Sequence, residues 1–101
     1  MNIMVSMTYP LKSTMEIGKK ALEALKNPLP DYINRGQIYA RYGGKGIETY
    51  TTYEIEKGHE DEGIKEITER YVIYFDIEGL EITSDVLLTI EEAMPMLGLQ
   101  M

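Results

Sequence analysis

The sequence predicts an α+β sandwich of order βαββαβ, with two helices on one face of a four-stranded antiparallel sheet. Three observations carry this. Residues 37–42 and 47–55 alternate as two strands folded back across Gly43-Gly44-Lys45-Gly46; alternating stretches occur near both ends; and two stretches of helical spacing lie between them.

The hairpin organises the rest. Three glycines in four positions give its connection access to positive φ, and Lys45 keeps the tip solvated and discourages edge pairing. On the first arm Ile38, Ala40 and Tyr42 share one face, and Gln37, Tyr39 and Arg41 the other. On the second, Ile47, Thr49, Thr51, Tyr53 and Ile55 oppose Glu48, Tyr50, Thr52 and Glu54. Tyrosine stands on both sides of that arm, so a one-residue shift of register would exchange its faces. A phosphate-loop reading of Gly43-Gly44-Lys45-Gly46 fails, because the segment lacks the length and the Ser/Thr of a Walker loop and joins two strands with no following helix N-terminus.

Taken in order, the chain opens on a strand over 2–9, where Ile3, Val5, Met7 and Tyr9 alternate with Met4, Ser6 and Thr8 before Pro10 ends the ladder. Ser13 and Glu16 have the spacing of a capping box, so a helix is expected from there, with Ile17, Ala21, Leu22 and Leu25 as its apolar stripe and Asn27-Pro28 as its stop. Residues 28–31 form a short rigid connector, and Arg35 is expected to be exposed ahead of the hairpin. Beyond the hairpin, 56–62 is a charged loop ending at Asp61 as N-cap, followed by a helix with the stripe Ile64, Ile67, Tyr71, Val72 and Phe75 and a Glu66–Arg70 pair on its outer side. Gly79 breaks the chain, 80–88 alternates as the fourth strand, and Thr89 with Glu92 repeats the capping-box spacing. Pro95 restricts that last helix to about one turn, or kinks it, before Gly98 closes it.

With 101 residues the chain makes one domain able to bury a core without staples. No cysteine is present, which excludes thiol nucleophiles, thiolate metal sites and disulfides and suits a reducing compartment. No leader-like segment and no membrane-length apolar run occurs, so a soluble cytoplasmic protein is expected. The net charge is −7, and beyond Arg70 only Asp76, Glu78, Glu81, Asp85, Glu91 and Glu92 are charged. Clustered cations along a phosphate backbone are missing, so nucleic acid is not an expected partner.

The order of elements is that of the ferredoxin-like fold. Its uncovered sheet face is expected to carry Met4, Ser6, Thr8, Tyr39, Arg41, Tyr50, Thr52, Thr83, Asp85 and Leu87, a mixed surface. The element order, the opening strand at 3–9 followed at once by a capped helix, and the C-terminal extension over 89–98 together resemble the dimeric α/β-barrel superfamily. That resemblance implies a homodimer whose sheet faces pack around a cavity. Its members include cofactor-free monooxygenases, small-molecule isomerases, haem-degrading enzymes and ligand-sensing domains, so it implies a class of architecture and no single activity.

On that expectation Tyr39, Arg41, Tyr50 and Asp85 are the candidate ligand-binding residues: two aromatic walls with hydroxyls, and two charges that need partners when covered. His59 and Asp85 are the candidate proton-transfer groups. His59 also reads as a solvated loop histidine, and Glu60, Asp61 and Glu62 as helix-start electrostatics, so neither a metal nor a cofactor is expected. Three functions stand open: a module binding a small polar or aromatic molecule between dimer sheets, an isomerase- or monooxygenase-like enzyme, and a protein-interaction module.

Overall fold

The first strand, β1 (Asn2–Tyr9), shows the predicted alternation as alternating burial, with Ile3, Val5, Met7 and Tyr9 inward. The structure, a computed structural model, describes residues 1–99. After Pro10 a 3-10 turn over Leu11–Ser13 leads into α1 (Thr14–Leu25). The expected Ser13–Glu16 capping box does not form. Ser13 already has helical backbone angles (φ −94°, ψ 0°) and is buried, whereas a cap residue needs extended backbone to aim its oxygen at the free amides. Thr14 instead donates its hydroxyl to the Leu11 carbonyl at 2.7 Å.

β2 (Ile33–Gly43) begins ahead of the expected hairpin arm, and β3 (Gly46–Ile55) returns with Gly43 paired to Gly46. Of the three turn glycines only Gly46 takes a positive φ, 119°, and its missing side chain leaves room for the Tyr9 carbonyl. α2 (Glu60–Tyr71) starts with His59 rather than Asp61 at the cap, and the Glu60 carboxylate accepts from the Gly58 amide at 2.7 Å. Gly63 lets this helix cross β3 closely, since a Cβ there would lie 2.6 Å from two Ile55 carbons.

The expected stripe of α2 is only half inward. Ile67 is buried and Tyr71 half-buried, while Ile64, Val72 and Phe75 are exposed. The chain tightens into a 3-10 turn at Val72–Tyr74, and the changed period turns Tyr74 inward in place of Phe75. α1 departs similarly: Ile17 is buried, Ala21 and Ala24 are half-buried, and Leu22 and Leu25 are exposed. β4 (Glu81–Leu87) and α3 (Ile90–Ala93) follow, and here the capping box forms as expected, Thr89 Oγ1 accepting from the Glu92 amide at 3.1 Å and Glu92 Oε1 from the Thr89 amide at 3.0 Å. Pro95 holds the next residues in a 3-10 turn, and Gly98 ends it at φ 76°.

The sheet order is β2-β3-β1-β4 with every neighbouring pair antiparallel, the ferredoxin-like arrangement. Both helices cover one face, and the core lies beneath them in two adjoining clusters, one around Ile3, Val5, Ile33, Tyr53, Ile55 and Ile67, the other around Met7, Tyr9, Ile17, Ile47, Tyr74 and Ile77. The likeness to the dimeric α/β-barrel superfamily does not survive. β2 and β4 are the outer strands of an open sheet, each hydrogen-bonded on one side only, and two strands stand between them, so the sheet does not close into a barrel. Among the described residues no helix is long and apolar enough to cross a membrane.

Candidate functional site

β2 is not a regular strand. Arg35 pairs with Tyr53 but Ile38 pairs with Thr51, so Gly36 and Gln37 together stand against the single residue Thr52. This β-bulge inserts one residue and reverses the alternation on either side of it. Arg35 therefore shares the helix-side face with Ile38, both of them solvent-exposed there, as expected for Arg35, whereas Tyr39 and Arg41 lie on the open face. Gly36 permits the bulge, because a side chain there would overlap the Thr52 hydroxyl.

Between α1 and the covered face of β2 and β3 lies a cavity of about 170 Å³. It exists because α1 turns small residues toward it: Gly18, Ala21 and Ala24 line one wall, and the space a Gly18 side chain would enter is empty. Tyr53, Tyr71 and Tyr74 line the inner wall with Thr51, and among the described residues Arg35 and Arg70 are the charged ones that line it. Two long side chains tie α1 in place beside this gap. Lys20 Nζ donates to the Ile73 carbonyl at 2.7 Å and pairs with Asp76 at 3.1 Å. Arg70 donates to the Asn27 and Pro28 carbonyls at 2.9 and 2.7 Å while holding Glu66 at 3.0 Å, which realises the expected Glu66–Arg70 pair.

The hydroxyls of Tyr53 and Tyr71 lie 2.8 Å apart, with the rings edge to face at 6.5 Å. Burial holds the Tyr71 proton well above the ordinary phenol range and raises Tyr53 in the same direction; Tyr74 is pushed up to about 12, again chiefly by burial. All three are protonated donors at neutral pH. The wall thus offers hydrogen bonds and positive charge around an apolar interior, with no carboxylate or imidazole side chain among the described residues that line it.

The residues singled out from the sequence are arranged differently. Arg41 donates to Glu48 through Nε at 3.1 Å and Nη2 at 2.9 Å, Tyr50 donates to the same carboxylate oxygen, and the Arg41 guanidinium sits 5.9 Å from the Tyr50 ring centre. The Tyr50 hydrogen bond first, and Arg41 second, hold the Glu48 carboxyl below its usual range. Tyr39 is cross-strand from Tyr50 and exposed. Asp85 is exposed on β4 opposite Met4, with β1 and β3 between it and Arg41, so those two charges do not meet. His59 stacks on Tyr32 with ring centres 4.5 Å apart, its Nδ1 3.5 Å from Glu62 and covered without a hydrogen-bond partner among the described residues. None of Tyr39, Arg41, Tyr50, His59 and Asp85 lines the cavity.

Arg35 and the three inner tyrosines were not candidates on sequence grounds. Continued strictly back from Arg41, alternation puts Arg35 on the open face, and only Gly36 within a strand-like run hints at the bulge that moves it. The molecule is a ferredoxin-like sandwich with a helix-to-sheet cleft. No family model, curated protein or solved structure matches the chain.

Proposed function

We propose that this protein binds a small molecule with a compact apolar body in the cleft between α1 and the sheet. The cavity carries the reading: its volume of about 170 Å³ is of the size that accepts one six-membered ring, and small α1 residues keep it from collapsing. The lining favours binding over proton transfer, since its tyrosine hydroxyls hold their protons and, among the described residues, no carboxylate or imidazole side chain lines it. The lack of cysteine supports a place in a reducing cytoplasm. Titration of labelled protein with benzyl alcohol, followed by amide resonances, should shift Ala21, Thr51 and Tyr71, and Ala21→Leu should abolish the response with the fold intact. Unmoved cleft resonances would sink the reading.

A second reading, self-association, is supported by one observation. β4 is a free edge strand, and exposed Val86, Leu88, Ile90, Met96 and Leu97 follow along it and the C-terminal turns. On this reading the protein is a homodimer joined through that edge, and light scattering should give twice the chain mass; a monomer at all concentrations would dismiss it.

A further inference from the structure

We infer that the molecule held in the cleft is a carboxylate, small and aromatic or branched, whose charged end is taken by Arg35; this rests on the cleft being the binding site. Three observations converge on it. Firstly, the bulge at Gly36 and Gln37 turns Arg35 onto the covered face, and without the extra residue its side chain would lie across the sheet from the cavity. A device that re-aims one cation toward one cavity costs ladder hydrogen bonds in β2, and nothing in the packing around Arg35 recovers them: it makes no ion pair or hydrogen bond among the described residues.

Secondly, charge is distributed against the grain of the chain. Acidic residues outnumber basic ones by 17 to 10, yet among the described residues the cavity wall holds two arginines and no acidic side chain. Arg70 is already engaged by Glu66 and by the Asn27 and Pro28 carbonyls, which leaves Arg35 as the cation with donors to spare. Its counterpart Arg41, on the same strand, is neutralised by Glu48. A guanidinium offers paired donors matched to the two oxygens of a carboxylate.

Thirdly, a hydroxyl pair lies beside Arg35. Tyr53 and Tyr71 carry two protons, their mutual hydrogen bond takes one, and the Thr51 hydroxyl is the other hydrogen-bonding neighbour of Tyr71. Tyr53 stands directly opposite Arg35 in the ladder, so the remaining phenolic proton and the guanidinium belong to the same end of the cleft. An anion there would accept from both, while its apolar body lay against Ala21, Ile17 and Tyr74.

Benzoate and benzyl alcohol, one ring bearing a charged or a neutral polar end, separate this inference from the one beneath it. In amide-resonance titrations of the whole chain at low salt, benzoate should bind at least about tenfold tighter than benzyl alcohol. Arg35→Gln should erase that preference, bringing benzoate to the level of benzyl alcohol. If both probes bind alike, or if Arg35→Gln leaves benzoate binding unchanged, the carboxylate inference falls and the cleft remains a binding site. If neither probe moves the cleft resonances, both fall. Shifts of the same residues on raising protein concentration alone would show a second copy of this chain in the cleft and overturn the inference.

Discussion

The two faces of this sheet carry similar chemistry in opposite states. On the open face Arg41, Glu48 and Tyr50 satisfy one another; on the covered face Arg35 stands beside Tyr53 and Tyr71 with no ion-pair partner among the described residues. Each grouping sets an arginine of β2 beside a tyrosine of β3, Arg41 by Tyr50 and Arg35 by Tyr53. An arginine already paired with a neighbouring carboxylate has little to offer a ligand, whereas an unpaired one keeps its donors. Occupancy of the donors, more than residue type, separates a structural cluster from a candidate site.

The largest expected difference between the faces is in stability. Ile55 is 1% exposed, and Ile55→Ala should cost about 3 kcal/mol in urea unfolding through lost burial and the cavity left behind. Thr52→Ala, three residues earlier on the same strand and exposed on the open face, should fall within about 0.5 kcal/mol. Equal losses would mean that the open face is as buried as the covered one, and would erase the contrast.

Alkaline pH should sharpen it. In the unfolded chain tyrosines release their protons near pH 10, whereas burial keeps those of Tyr53, Tyr71 and Tyr74 bound, Tyr74 to about 12. Between those values the unfolded state binds fewer protons than the native state, so stability falls as pH rises. The urea midpoint should be insensitive to these groups below pH 9 and decline from about 10 to 12, and Tyr74→Phe should make the decline shallower. A flat profile over that range would place these hydroxyls in water.

The smallest effect belongs to the open face. Tyr50→Phe should let the Glu48 carboxyl titrate nearer its ordinary range, and Arg41→Gln should do so to a lesser degree, read by carboxyl resonances against pH. Neither change should move the urea midpoint appreciably, because neither side chain belongs to the buried core.

Much of the fold was legible in the residues. Alternation at Ile3, Val5, Met7 and Tyr9 and at Ile47 through Ile55 corresponds to the observed faces, so the open face of β1, β3 and β4 holds the expected side chains. The candidate site was not legible. Periodicity finds charged and aromatic residues that share a face, and it found Arg41 and Tyr50, but the count by twos that located them puts Arg35 on the wrong side of the bulge. The tyrosines at 53, 71 and 74 read as ordinary core, and whether they line a gap depends on how far α1 stands from the sheet.

Local chemistry, then, determined what could be decided within a few residues: the order of elements, the turn at Gly46, the capping box at Thr89 and Glu92, and the single turn allowed by Pro95. Tertiary structure decided what depends on partners distant in the chain. Ser13 lost its cap when the backbone around it became helical; α2 tightened and buried Tyr74 over Phe75; the sheet stayed open; and one inserted residue in β2 turned Arg35 toward the cavity. A capping box or a turn closes over a few consecutive residues, whereas register and interlayer spacing are set by the packing of side chains from every element at once.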